Sequence, residues 1–190
     1  MQHLLTPYSK EIDPFAWWEG AFTNEELDWL KNKAAQATQP GMAGGEIREN
    51  IRRSEVNWLG YAEDTKWVFK KLSHVVSSLN ANYFGFDLTG LGEELQLTNY
   101  HEARQGTYKW HQDFGGFGTS RKLSLVLQLS DPEDYEGGEL QLLTSSIPTT
   151  IKKKRGLITV FPAWTLHQVT PVIKGTRQTL VTWASGPVFK

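Results

Sequence analysis

In Tyr108-Lys-Trp-His-Gln-Asp113 an imidazole and a carboxylate stand two residues apart. On an extended strand, residues two apart project to the same face, so His111 and Asp113 can present donor atoms to one ion. Any two polar residues at that spacing would match the pattern, and two donors hold a metal weakly. The pair therefore gains weight only if the chain supplies a third ligand in a comparable setting. His167 lies in Val160-Phe-Pro-Ala-Trp-Thr-Leu-His167-Gln-Val-Thr-Pro171, where one apolar strand stops at Pro162 and another begins near Val169. Arg177 comes ten residues later. Two imidazoles and one carboxylate on one side of a metal leave the opposite positions open, the arrangement associated with non-haem iron(II) and oxygen chemistry. A ferrous ion with one carboxylate keeps a net positive charge. Arg177 adds a second in a planar fork suited to a carboxylate, so the set suits a dianionic co-substrate.

Composition bounds the setting of such a site. A chain of 190 residues is most economically one domain (1–190) with a substantial core, its N-terminal part (1–93) supporting a core over 94–190. The chain is 39% hydrophobic and 22% charged, ordinary for a globular protein, and a net charge of -1 predicts no general attraction to nucleic acid or to a membrane. Without cysteine, any metal must be held by His, Asp or Glu. The same lack fits a reducing compartment. No apolar run approaches the ~20 residues of a membrane span, and Met1 to Glu11 lacks the pattern of a signal peptide. The expected location is cytoplasmic.

Two helices and a run of strands must position these residues. Pro7 and Pro14 mark an extended lead-in, and His3 is too near the terminus to interpret. Thr23 with Glu26 forms a capping box opening a helix whose Leu27, Leu30 and Ala34 face a core, and Pro40-Gly41 ends it. Gln39 to Glu46 is a glycine-rich loop, a plain surface loop or a lid. Ile51 to Leu59 reads as one strand with Val56 and Trp58 on one side. From about Asp64 a second helix carries Val68, Leu72, Val75, Val76 and Leu79 inward, with His74 on its surface, and Asn80 to Gly85 closes it. From Glu94 onward strands predominate: Leu95 to Tyr100, Tyr108 to Phe114, Lys122 to Ser130, Gly137 to Leu143, Leu157 to Phe161 and Thr176 to Ser185. His101 falls on the face opposite Tyr100 and is excluded as a ligand. Phe114 to Thr119 is glycine-rich but precedes a strand, so it is a loop and not a phosphate cradle. Lys152 to Arg155 reads as a solvated turn. The fold expected is mainly β with flanking α, a double-stranded β-helix (jelly-roll) core with the N-terminal helices packed outside.

Tyr100, Gly106, Tyr108, His111-x-Asp113, Gly137-Gly-Glu-Leu, His167-x-Val-x-Pro171, Arg177 and Val181-Thr-Trp183 together resemble the Fe(II)/2-oxoglutarate-dependent dioxygenases, in the prolyl hydroxylase branch (prolyl 4-hydroxylase-like). The likeness runs from about Arg52 to Trp183, and Ile51-Arg52-x-x-x-Val56-x-Trp58 is similar to the substrate-facing strand of enzymes acting on proteins. It implies Fe(2+) on His111, Asp113 and His167, with 2-oxoglutarate bound by Arg177 and Tyr100, and O2 as co-substrate. Ascorbate is the candidate reductant. Arg52, Tyr108, Arg121 and Trp183 match substrate-pocket positions. The implied reaction hydroxylates a prolyl residue in a protein or peptide and converts 2-oxoglutarate to succinate and CO2. Gln128 stands where relatives often carry a tyrosine against the co-substrate, and parts of the wider family have lysine in place of Arg177. Asp113 argues against a halogenase, which needs that coordination position for halide.

Read as residues alone, Tyr100, Tyr108 and Trp183 also suit plain barrel packing, and Arg52 and Arg121 suit surface ion pairs. Rival functions are the same chemistry on a free amino acid, small metabolite or nucleobase, and, from another class, a zinc hydrolase or a non-catalytic cupin-like binding module. A hydrolase needs a general base beside the metal, and no extra Glu or Asp accompanies the histidine strands. A binding module has no need of Arg177.

Overall fold

A computed structural model describes residues 11–115 and 119–188. His3, Pro7 and part of the Phe114–Thr119 loop lie outside them. The strands are β1 (Ala16–Trp18), β2 (Gln39–Pro40), β3 (Arg52–Arg53), β4 (Glu55–Leu59), β5 (Gly90–Leu91), β6 (Leu95–His101), β7 (Thr107–His111), β8 (Arg121–Gln128), β9 (Tyr135–Gly137), β10 (Leu140–Leu143), β11 (Thr149–Thr150), β12 (Ile158–Pro162), β13 (Leu166–Val169) and β14 (Val172–Ser185). The helices are α1 (Asn24–Ala35) and α2 (Lys66–Leu79). One sheet runs β1-β12-β8-β14-β6-β4-β2, with β5 and β9 also paired to β14, and a smaller one runs β11-β10-β13-β7-β3. All pairings are antiparallel.

Alternation on three central strands of the larger sheet separates scaffold from site. Leu95 and Leu97 of β6, Leu123, Leu125 and Leu127 of β8, and Leu180 and Ala184 of β14 pack with Leu30, Leu72, Val75, Val76 and Leu79 of the helices in the main hydrophobic core. Each leucine or valine of this set contributes about 1.5–3 kcal/mol on burial. Period-2 geometry sends the intervening residues the other way, into the space facing the smaller sheet. There Val126, Leu140, Leu142 and Phe161 form a second apolar cluster. The same face carries Ser124, Gln128, Arg177 and Thr179, all buried. Buried polar groups need partners, so this interior is built for something besides packing.

Several elements depart from the sequence reading. α1 ends at Ala35, not at Pro40-Gly41: the N–H groups of Gln36 and Ala37 bond back to Lys33 and Ala34, and Pro40 lies in β2. A proline disfavours helix in the residue before it, so Gln39 is already extended. Ile51 to Leu59 is two strands. The chain changes sheets at Ser54, with Arg52 opposite Tyr108 in one sheet and Glu55 opposite Asn99 in the other. The glycine-rich loop is a tight hairpin closed by an Ala43–Glu46 bridge, and Gly44 and Gly45 hold φ of 61° and 82°, where side chains are strained. Lys152–Arg155 is not merely solvated. Lys153 bonds the Gly137 carbonyl at 2.6 Å and lies 3.3 Å from Glu139, Lys154 pairs with Glu19, and Arg155 pairs with Asp28 at 2.5 Å. The run staples the approach to β12 onto its neighbours. No helix among the described residues is long and apolar enough to cross a membrane.

The capping box at α1 is formed from both sides, with Thr23 Oγ1 accepting from Glu26 N and Glu26 Oε2 accepting from Thr23 N. Glu26 also pairs with Lys71 of α2 at 2.6 Å. Burial raises the Glu26 carboxyl, but Lys71 and the Thr23 N–H outweigh it and leave it below its ordinary value of 4.5. Its folded pKa being depressed, its contribution is full above the unfolded value and lost as pH falls through the folded one. Thr23→Ala is expected to cost about 1 kcal/mol in urea melts at neutral pH. The cost of Glu26→Gln should shrink as the melts are repeated at acid pH.

Candidate metal and anion site

β7 and β13 run side by side with His111 directly opposite His167. The ring centroids are 4.1 Å apart. Each Nδ1 faces a carbonyl two residues back, His111 to Lys109 O at 2.7 Å and His167 to Thr165 O at 2.9 Å. A carbonyl oxygen only accepts, so both Nδ1 atoms carry the proton and both Nε2 lone pairs are left free. Asp113 is not on the strand as expected from the spacing. β7 ends at His111, and the chain bends so that the N–H groups of Asp113 and Phe114 both bond Ala163 O at 3.0 Å. The bend swings the carboxylate in front of both rings. Its oxygens lie 3.8 Å from His111 Nε2 and 3.6 Å from His167 Nε2. Those separations are too long for hydrogen bonds and suit donors sharing one ion at ligand distances of about 2.1 Å. The three ligand atoms all lie within 4.8 Å of one another.

Neighbours shift the protonation of Asp113 and His111. Ser124 Oγ donates to Asp113 Oδ2 at 2.6 Å. The Trp183 indole N–H faces the same carboxylate but falls short of a hydrogen bond. Burial pushes the Asp113 carboxyl up, and the fields of His167 and His111, then Ser124, outweigh it and hold the group below the usual carboxylate range. Burial, then the charge of His167, lowers His111 to about 3 against the pull of Asp113. A deprotonated carboxylate and a neutral imidazole are the forms that bind metal.

The cavity lined by these three residues is also lined by Arg177, Thr179 and Tyr100. Arg177 is only 3% exposed, with its guanidinium 5.5 Å from the Tyr100 ring centroid. Among the described residues Arg48, Arg104, Arg121 and Arg155 have carboxylate partners and Arg177 has none. Thr179, two residues on and on the same face, buries a hydroxyl without a partner among the described residues. Gln128 stands one step back. It donates to Tyr135 Oη at 3.2 Å, and Tyr135 lies against Arg177, so Gln128 reaches the arginine through a second side chain.

The four substrate-pocket candidates share a second cavity of about 560 Å³ that Asp113 also lines. Arg52 lies over the Tyr108 ring at 4.7 Å, and Arg121 lies over the Trp183 ring at 3.7 Å. Tyr108 in turn stacks on His111 at 3.4 Å. Arg121 is held by Glu93 through two bonds of 2.6 and 2.5 Å. His101 points away, to Glu55 and Thr176. Sequence reasoning missed Ser124, Tyr135, Thr179 and Glu93. Ser124 and Thr179 had a legible signal, being polar positions of the inward register on β8 and β14.

Residues 95–185 match the family model of the 2OG-Fe(II) oxygenase superfamily. This segment holds His111, Asp113, His167 and Arg177, and over it the chain is similar to that superfamily. A PKHD-type hydroxylase of Prochlorococcus marinus is 42% identical over 82 residues, covering 43% of this chain and 37% of the relative. One from Colwellia psychrerythraea is 41% identical over 61 residues, covering 32% and 27%. The chain thus spans about a third of the length of these curated relatives. Among solved structures, a Pseudomonas putida prolyl-4-hydroxylase superposes with a TM-score of 0.72 at 21% identity, covering 90% of this chain and 92% of that one. A Trichoplax adhaerens prolyl hydroxylase, in complex with a hypoxia inducible factor peptide fragment, gives 0.76 at 16%, covering 90% and 83%. At these identities the likeness establishes a shared jelly-roll fold.

Manganese(II) or cobalt(II) should raise the melting temperature of the wild type by mass action, since a ligand at a hundred times its Kd stabilises by about 2.7 kcal/mol. His167→Ala should abolish the rise. Ser124→Ala should keep it but weaken metal affinity about ten-fold or more, as loss of a partner that orients a ligand does.

Proposed function

We propose that this protein hydroxylates a prolyl residue in a protein or peptide, using iron(II), O2 and 2-oxoglutarate. The observation that carries the reading is a buried guanidinium without a counter-ion in the same cavity as a His-Asp-His set whose free donors face one point. A cation so buried is costly unless an anion joins it, and a dicarboxylate with one end on a metal places its other end there.

His111, Asp113 and His167 would hold the iron. When bound, iron with 2-oxoglutarate activates O2, giving succinate, CO2 and one oxygen atom delivered to a substrate C–H bond. The chain's own part is positioning. The Lys109 and Thr165 carbonyls set the tautomers and tilt of the two imidazoles, and Ser124 fixes the carboxylate. Arg177 receives the far carboxylate of the co-substrate as a charge-assisted pair, with the Thr179 hydroxyl as a second donor and Tyr100 as a wall. Apolar Val126, Leu140 and Val169 line the same cavity and keep it dry, which strengthens every charge interaction inside.

The PKHD-type and prolyl hydroxylase likenesses support a prolyl substrate, and the Trichoplax complex supports a peptide one. The open cavity agrees. Its aromatic walls, Trp58, Tyr108 and Trp183, suit a proline ring and leave room for flanking backbone. Ascorbate as reductant and a cytoplasmic setting are parts of this proposal, the second resting on the lack of cysteine.

Arg177→Ala is expected to lower kcat/KM for 2-oxoglutarate about ten- to hundred-fold, the worth of hydrogen bonds to a charged group. Thr179→Val should lower it about two- to ten-fold. Steady-state succinate formation reads both, and mass spectrometry of proline-containing peptides reads hydroxylation. Succinate formation with no hydroxylated proline in any peptide would refute the substrate assignment and leave the co-substrate chemistry standing.

A further inference from the structure

Three arginines surround the reaction cavity, and their charges are disposed of in three ways. Arg121 is neutralised by the two-bond pair with Glu93. Arg177 faces the cavity where the co-substrate's far carboxylate would lie. Arg52 has neither arrangement. It is 7% exposed and lines the larger cavity together with Asp113. Its bonds run from Nε to Ser54 Oγ at 2.7 Å, from Nη1 to Met42 O at 3.1 Å and from Nη2 to Gln96 Oε1 at 2.8 Å. All three acceptors are neutral, and among the described residues Arg52 has no carboxylate partner. A guanidinium has five N–H donors, so about two remain, one on each terminal nitrogen. Two N–H groups on the terminal nitrogens are what a carboxylate engages as a fork.

The three existing bonds hold this fork rigid. Ser54 sits where the chain crosses between sheets, Met42 belongs to the glycine hairpin, and Gln96 is on β6. The guanidinium is thus clamped from three separate segments and lies on the Tyr108 ring. Little side-chain freedom is left to lose when a ligand arrives, which is the condition for strong selection. Among the described residues, apart from Arg121, which Glu93 neutralises, the other charged residue lining the cavity is Asp113, whose oxygens face the two imidazoles.

Building on the prolyl hydroxylase reading, we propose that Arg52 selects a substrate bearing a carboxylate close to the target proline. The group is an acidic side chain beside the proline or the free carboxyl terminus of the substrate chain. Arg52 then determines specificity and takes no part in oxygen chemistry.

The test uses short blocked peptides with a central proline. Glutamate is placed in turn at each flanking position and compared with its glutamine twin, and a free-acid carboxyl terminus is compared with its amide. Initial hydroxylation rates come from mass spectrometry. Binding comes from quenching of tryptophan fluorescence, with manganese(II) and 2-oxoglutarate present and oxygen excluded. The wild type should favour one acidic placement over its neutral twin about ten-fold or more, as charge-assisted bonds imply. The placement that wins identifies a side chain or a terminus as the source. Arg52→Gln should reduce the preference to about two-fold or less, and Arg52→Lys should keep part of it by charge alone. Equal rates for every acidic and neutral twin, with the peptides still hydroxylated, would overturn this inference and leave the prolyl reading intact. So would an acidic preference that survives in Arg52→Gln. Turnover of 2-oxoglutarate with no peptide hydroxylated would overturn both.

Discussion

Everything in this structure that bears on function depends on one register: His167 of β13 opposite His111 of β7. A slip of one residue would turn either imidazole to the outer face. Pairing on both sides holds β13 in place, since β10 sets Leu142 against His167 from the other edge. The third ligand needs no strand of its own. Asp113 is turned inward by two N–H bonds to Ala163, in the segment leading into β13, so all three donors are referred to the same pair of strands. A polar cluster with lone pairs left unmet is expensive to bury. It persists because the Leu-rich faces of β6, β8 and β14 against α1 and α2 form a separate core that does not share the site's polar groups.

The second theme is the allocation of positive charge. One arginine balanced by Glu93 stiffens the Trp183 wall. Two without carboxylates line the two cavities that Asp113 also lines, Arg177 in one and Arg52 in the other. In the proposed reading, those two residues give the site a co-substrate end and a substrate end.

Much of this was legible in the sequence because it is local or periodic. The Thr23–Glu26 box, the α2 stripe and the inward polar positions of β8 and β14 follow from spacing alone. The ligand set was legible as residue types but not in its geometry. Spacing put Asp113 on a strand, whereas tertiary bonds to Ala163 bend it off. The break at Ser54 was hidden because an alternating pattern reads the same when a strand passes from one sheet to another. The basic run Lys152–Arg155 looked solvated because its acidic partners Glu19, Asp28, Asp131 and Glu139 are distant in sequence or arrive from other elements. The balancing of Arg121 by Glu93 and the lack of a carboxylate at Arg52 are likewise facts of long-range pairing.

The most direct test of the central claim, that the His-Asp-His set and Arg177 form one oxygen-activating site, is oxygen uptake started by adding 2-oxoglutarate to the iron(II)-loaded protein with a proline peptide. Uptake matched mole for mole by succinate, and lost in both Asp113→Ala and Arg177→Ala, is the result this account predicts. Absence of uptake with iron(II) bound, together with hydrolytic activity of the zinc-loaded protein, would contradict it.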